Sequence, residues 1–219
     1  MRTRDGFPQL TAVVAFSAFA ATGCQAVEPF DYTLFHQHPP RSILILPPVD
    51  DTMEVDASYA YLSTVTRPIV ERGYYVFPVA VVARMMRENG LPGAAEMHTV
   101  SLAKIDEIFG ADAVMYLTLT DWGTTYTVLD SSTRVTVHGR ILDVKTGTEL
   151  WRGNATAVQS SNSNAGSIEE ALIAAIMNQV MTSAVDPSQG LARQANVSLF
   201  STEDSGLPPG PYHPDFVSP

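Results

Sequence analysis

The chain has 219 residues and a formal net charge of -10 at pH 7, with 13 Lys and Arg against 23 Asp and Glu. This acidic balance argues against a nucleic-acid partner, because proteins that bind nucleic acids need a basic face to displace counterions. The sequence contains one cysteine, which excludes a disulfide within the chain and a cysteine-based metal site.

The N-terminal segment has the pattern of a bacterial lipoprotein signal. Arg2 and Arg4 form a positive region, residues 10–21 are apolar, and Cys24 follows small residues. The apolar run is too short for a transmembrane helix, which needs ~20 residues. We therefore expect cleavage before Cys24 and attachment of lipid chains, which anchor a protein stably when two or more are buried. The site resembles the lipobox of Gram-negative lipoproteins, and Gln25 resembles their outer-membrane sorting signal.

Composition divides the chain into four parts. The apolar fraction of 45% is ordinary, and about 150 residues suffice for one domain with its own core. The expected parts are a signal peptide (1–23), a lipidated tether (24–40), one α/β domain (41–202) and an extended or disordered Pro/Gly-rich tail (203–219).

The first part of the domain has the pattern of a βαβ unit. Residues 42–46 are continuously apolar, which predicts a strand buried on both faces. A helix is predicted over 58–72, with Ser58 as its N-cap and with Pro68 expected to kink or split it. Residues 74–79 are a second predicted buried strand, which such a connection makes parallel to the first.

The second part combines helices with an antiparallel meander. Helices are predicted over 79–88, 101–109, 167–184 and 188–200, and strands over 113–120, 124–129, 133–144 and 148–158. Ser101 is the predicted cap of its helix, and residues 143–147 are the predicted turn between the last two strands. The expected fold is therefore α/β with a mixed sheet, arranged as a two-layer or three-layer sandwich.

The helix predicted over 168–184 has an apolar face wider than a surface helix needs. Leu172, Ile176 and Val180 lie on that face. This width indicates burial between the sheet and a further element, and a second subunit is one candidate for it. Together with the family resemblance given below, the helix predicts a homodimer.

One basic row stands out in this acidic chain. In the strand 133–144, Arg134, His138 and Arg140 alternate with apolar residues. The alternation indicates a solvated strand face. The same three residues are also a candidate docking surface for an acidic partner.

Fragments that imitate catalytic or ligand sites have structural explanations. Residues 101–104 match S-x-x-K and 145–147 match K-T-G, but one begins a helix and the other is a hairpin turn. His36 and His38, or Asp50 and Asp51, are too few ligands for a stable zinc site. We therefore predict no enzyme, no metal and no cofactor. The alternative of a small-ligand site near Asp50, Asp51 and Asn89 stays open.

Two sequence blocks, GYYVFPV at 73–79 and IFGADAV at 108–114, resemble the bacterial lipoprotein family known as domain of unknown function 799. The resemblance covers about residues 40–213. It implies an outer-membrane lipoprotein with an α/β domain similar to the N-terminal domain of TolB, and related to CsgG, the curli secretion lipoprotein, and to LpoB. It also implies dimers, no established catalytic residues and a gene that is often encoded beside that of a CsgG-like lipoprotein.

Together these features predict a function without catalysis. We expect an accessory or assembly subunit of an envelope complex, anchored to the outer membrane with its domain in the periplasm or at the surface, and working with a CsgG-like secretion lipoprotein. The alternatives are an LpoB-like regulator of a periplasmic peptidoglycan synthase and a binder of a small ligand.

Overall fold

The computed structural model of the protein describes residues 30–126, 131–160 and 187–216. The helices in these ranges are α1 (Thr33–Gln37), α2 (Ala57–Glu71), α3 (Val79–Glu88), α4 (Ala94–Met97), α5 (Leu102–Phe109) and α6 (Pro187–Ser201). The strands are β1 (Ser42–Ile45), β2 (Val49–Asp50), β3 (Tyr75–Val76), β4 (Ala113–Tyr126), β5 (Ser131–Asp143) and β6 (Glu149–Ser160).

The described strands form one mixed sheet in the order β3-β1-β4-β5-β6, with β2 also paired to β4. β1 runs parallel to β3 and β4, whereas β4, β5 and β6 form an antiparallel meander. The predicted βαβ unit, meander and mixed α/β fold class are therefore confirmed.

The sheet buries apolar side chains on both faces at β1. Ile43 and Ile45 join the core under α2 and α6, while Leu44 and Leu46 join a second core under α3, α4 and α5. This alternation confirms the strand buried on both faces, because successive side chains of a strand point in opposite directions. On the second face, β5 and β6 instead carry exposed polar side chains.

Three sequence predictions near β1 need correction. Ser58 lies inside α2, and its hydroxyl donates to the carbonyl of Pro48 at 2.7 Å instead of capping the helix. α2 also continues unbroken past Pro68. β3 has only two residues, and Tyr75 is 52% exposed. β3 is therefore a short edge strand rather than a buried one.

The structure joins two predicted strands into β4. The pairing register with β5 shifts between Leu119 and Asp121, which marks a bulge at this point. One extra residue in a strand redirects the side chains that follow it, so the period-two pattern breaks although the strand continues. α4 was not predicted because four residues carry too little helical periodicity.

The predicted tether and tail both pack on the domain in the described ranges. The Tyr32 hydroxyl donates to the carbonyl of Gly206 at 2.6 Å, and Leu207 is fully buried. The Trp151 indole N–H donates to the carbonyl of Ser205 at 3.0 Å. Residues 30–40 and 203–216 thus contact the domain in the described ranges, and the expected boundaries at 41 and 202 stay predictions.

Two predicted features lie outside the described residues. These are the lipidation site at Cys24 and the dimer helix with Leu172, Ile176 and Val180. Both stay predictions. Within the described ranges, every helix is too short or too polar to cross a membrane.

Candidate functional site

The basic row predicted on β5 lies on the exposed side of the sheet. Arg134, His138 and Arg140 are exposed, whereas Val135 and Val137 between them are fully buried. The expectation of a solvated strand face is therefore confirmed. The buried side chains fix the strand register, so the exposed row is held in one position.

The register between β5 and β6 adds a fourth basic residue. Arg140 lies directly opposite Arg152, and His138 lies opposite Asn154. We call Arg134, His138, Arg140 and Arg152 the basic face. Arg152 is not among the predicted site residues, although counting outward from the hairpin turn at 143–147 places it near Arg140.

The two facing arginines differ in their partners. Arg152 Nε lies 2.5 Å from Glu149 Oε1. The Arg140 guanidinium carbon lies 5.1 Å from the centre of the Tyr116 ring, and no carboxylate of the described residues lies within salt-bridge distance of Arg140. Like charges directly opposite on neighbouring strands are destabilising. An anion bound between them would relieve that repulsion.

A half-buried histidine borders the basic face. The His98 ring meets the Tyr116 ring edge-to-face with centroids 5.1 Å apart, and its Nε2 lies 2.9 Å from the carbonyl oxygen of Pro47. Burial lowers the pKa of His98, the hydrogen bond to Pro47 opposes this, and the positive charge of Arg140 adds to the lowering. Neutral His98 donates its Nε2–H to Pro47 and so contributes no charge to the face.

A groove of about 580 Å³ lies at this part of the sheet. Its lining on the exposed side includes Tyr116, Arg140 and Arg152, and on the other side it includes Phe30 and Leu199. Gly139 and Gly153 line it as well. The groove therefore combines cationic and apolar walls at the start of β6.

The fragments that imitate a penicillin-binding site lack the contacts of a catalytic serine. The Ser101 hydroxyl accepts from the Lys104 amide as the cap of α5, and Lys104 Nζ lies 2.8 Å from Glu107 Oε2. Gly147 has a φ of +73° in the hairpin turn. The predicted structural roles of Ser101 and of the turn are confirmed.

The residues of the alternative ligand site keep their side-chain hydrogen bonds local. Asp50 Oδ1 accepts from the Thr52 amide at 2.9 Å, and Asn89 Nδ2 donates to the Met85 carbonyl at 2.8 Å. Among the residues that the structure describes, no three or more His, Cys, Asp or Glu side chains are grouped to hold a metal ion.

Comparison with known proteins supports the lipoprotein assignment. The family model described as "Putative lipoprotein GNA1162-like" matches residues 30–212. The putative lipoprotein NMB1124/NMB1162 of Neisseria meningitidis serogroup B is 38% identical over 205 residues, which cover 93% of this chain and 95% of that protein. The crystal structure of lipoprotein GNA1162 from Neisseria meningitidis is 40% identical, with a TM-score of 0.55, and covers 66% of this chain and 100% of its own.

More distant structures add little. The C-terminal domain of LpoB from Salmonella enterica is 16% identical, covers 53% of this chain and 81% of its own, and has a TM-score of 0.38. That likeness is too small to carry an argument about function. Membership in a lipoprotein family is confirmed, while the family number and the relation to TolB and CsgG stay predictions. The chain belongs to the GNA1162-like lipoprotein family.

Proposed function

We propose that this lipoprotein is a non-enzymatic accessory or assembly subunit of an envelope complex, and that an acidic surface of its partner docks on the basic face. The observation that carries the proposal is the facing pair Arg140 and Arg152 on exposed strands of a chain with a net charge of -10. A concentrated positive face in an acidic protein selects an acidic partner and disfavours others by repulsion.

The strand β5 that carries most of the basic face is held in place by buried side chains. Val135, Val137 and Ile141 are fully buried directly beneath the exposed side chains of β5. A strand fixed in this way loses little backbone freedom when a partner binds, so less of the binding energy is lost to ordering. Arg140 is further held against Tyr116, and a preorganised guanidinium is well suited to carboxylate recognition.

The proposal includes the place of action. Lipidation at Cys24 would anchor the chain to the outer membrane, with the domain in the periplasm or at the surface. Confinement to a membrane raises the effective concentration of anchored partners, so a modest docking affinity is sufficient. We propose a CsgG-like secretion lipoprotein as the partner and a homodimer through Leu172, Ile176 and Val180.

The test is recovery of partners from detergent-solubilised membranes by the full-length tagged protein. The wild-type protein is compared with Arg140→Glu/Arg152→Glu and with Arg67→Glu/Arg193→Glu, which makes the same charge change at exposed positions of α2 and α6. We expect an envelope protein to be recovered by the wild type and the α2/α6 variant and lost with the β5/β6 variant.

Recovery of no envelope protein by the wild type would refute the accessory role. Equal recovery by both double variants would keep the role and refute the basic face as its docking site. The dimer has its own test, because sedimentation of residues 25–219 as a pure monomer at micromolar concentration would contradict it.

A further inference from the structure

The two edges of the described sheet are unlike each other. β3 at one edge has two residues, whereas β6 at the other has twelve. Proteins limit unwanted pairing at sheet edges with short strands, lysine, proline or bulges. β3 follows this rule by being short. β6 is long and contains neither lysine nor proline. Its one register shift against β5 lies at its start, between Glu149 and Trp151, and the pairing is regular from Trp151 onward.

The outer side of β6 has unused backbone hydrogen-bonding groups. Its pairing partner is β5, and in an antiparallel pair about half of the N–H and C=O groups point away from the neighbour. Along residues 149–158, no described segment hydrogen-bonds to the outward groups. This stretch is therefore a template for an additional strand.

The groove reaches this edge at residues 152–154, and its walls differ chemically between the two faces of the sheet. Arg152 and Asn154 line the exposed face, and Phe30 and Leu199 line the face that is continuous with the main core. Gly153 lies between Arg152 and Asn154 and has no side chain to obstruct the groove. Side chains of an added strand would alternate between a cationic and an apolar wall.

We propose that β6 accepts an extended segment of another protein as an added strand, and that this segment alternates acidic with apolar side chains. Its acidic side chains lie against Arg152 and Arg140, and its apolar side chains lie toward Phe30 and Leu199. The assignment of this segment to an envelope partner rests on the proposed function. Strand addition itself does not, because it follows from the edge and the groove.

Charge explains why the segment is acidic. Arg140 and Arg152 face each other across the strands, and Arg140 has no carboxylate partner among the described residues. An incoming carboxylate supplies this partner and competes with Glu149 for Arg152, whose side chain is 72% exposed. The stretch Arg152–Val158 spans roughly 23 Å at ~3.3 Å per residue, so about seven residues of the segment can pair.

The experiment uses the full-length protein in detergent micelles and a fluorescent nine-residue peptide of alternating Glu and Val. Anisotropy measures binding, and amide hydrogen exchange with peptide mapping locates it. One control peptide contains the same Glu and Val residues arranged in blocks instead of alternation. A second control keeps the alternating sequence but is N-methylated at every second residue. Arg152→Glu is compared with Arg193→Glu, which makes the same change at an exposed position of α6.

We expect saturable binding that weakens with salt, falls at least tenfold with Arg152→Glu and is unchanged with Arg193→Glu. The exchange of β6 amides should slow, and both control peptides should bind at least tenfold more weakly. Absence of saturable binding up to 1 mM, equal binding of the N-methylated peptide, or binding without protection of β6 would each overturn strand addition. A failed membrane recovery with intact peptide binding would instead refute only the envelope role.

Discussion

Gly153 shows how a single position can be fixed by packing. A Cβ at this position would lie 2.6 Å from Trp151 Cζ2 and 3.1 Å from Leu199 Cδ1. Trp151 is fully buried and hydrogen-bonded to the Ser205 carbonyl, so the indole cannot move away without losing that bond. We expect Gly153→Ala to lower the free energy of unfolding by about 1–3 kcal/mol through overpacking.

Urea unfolding of the full-length protein in detergent micelles measures this loss. Asn154→Ala is the control, because the side chain of Asn154 is exposed. Surface substitutions usually change the free energy of unfolding by no more than about 0.5 kcal/mol. Equal stability of Gly153→Ala and wild type would show that the indole has room to shift.

Tyr61, Asn196 and Thr64 form a buried polar network between α2 and α6. The Tyr61 hydroxyl donates to Asn196 Oδ1, and Asn196 Nδ2 donates to Thr64 Oγ1 at 2.9 Å. Burial raises the pKa of Tyr61 well above its ordinary value. Tyr61→Phe leaves the Asn196 oxygen unsatisfied, which should cost about 1–3 kcal/mol in urea unfolding. Tyr212→Phe, at a residue that is 67% exposed, should leave stability unchanged, and equal values for the two variants would contradict the network.

His98 should make stability depend on pH. Its pKa in the folded protein lies below the ordinary value of 6.5. The unfolded chain therefore binds more protons in the window between the two pKa values. The free energy of unfolding consequently falls as the pH drops through 6.5, and this contribution stops changing below the folded pKa. The groups facing the ring are the Pro47 carbonyl, Tyr116 and Arg140.

Urea unfolding at pH 7.5, 6.5 and 5.5 tests this dependence. We expect the slope of stability against pH to decrease in His98→Gln and to persist in His138→Gln, whose ring is exposed. An unchanged slope in His98→Gln would show that other groups cause the dependence.

Among the described elements, α6 closes the main core. Leu191, Leu199 and Phe200 of this helix are buried, and the Phe200 ring lies 5.7 Å from that of Trp151. Phe200→Ala should destabilise the protein by about 3–5 kcal/mol because it removes apolar burial and leaves a cavity. Val197→Ala, at a 60% exposed position of the same helix, is the matched control. Thermal or urea unfolding measures the stability of both variants. A loss below 1 kcal/mol for Phe200→Ala would contradict the role of α6 in closing the main core.

Elements with local signals were predictable, and elements set by their neighbours were not. α5 begins at the capping Ser101 and ends at Gly110 with φ +60°, so its bounds follow from residue chemistry alone. β3 looked like a buried strand because its residues are apolar. Its position at the sheet edge decides its exposure, and that position depends on the pairing order rather than on the residues themselves.

The candidate site was predictable in part for the same reason. Alternation along one strand identified Arg134, His138 and Arg140. Arg152 joins them through the register of β6, and one wall of the groove includes Phe30, which comes from the predicted tether. Single-strand periodicity carries neither kind of information.

At the scale of the whole molecule, the two parts of the described sheet are covered differently. Near β1, helices cover both faces and supply stability. At β5 and β6, helix α6 covers one face, and the other carries exposed arginines. The proposed function connects the basic face to the predicted anchor, because confinement to a membrane would raise the local concentration of a docking partner.

Cys24→Ser tests that connection. Serine cannot carry the thioether-linked lipid, so the protein should move from the membrane fraction to the soluble fraction on cell fractionation. Because residue 24 precedes the family match at 30–212, thermal unfolding of the domain should be unchanged. We expect recovery of the envelope partner to fall at least tenfold, since the anchor supplies the local concentration that a modest affinity requires.

Ser17→Ala, within the apolar region of the predicted signal, should preserve anchoring and recovery. Full recovery by the soluble Cys24→Ser protein would show that the basic face binds without help from the membrane.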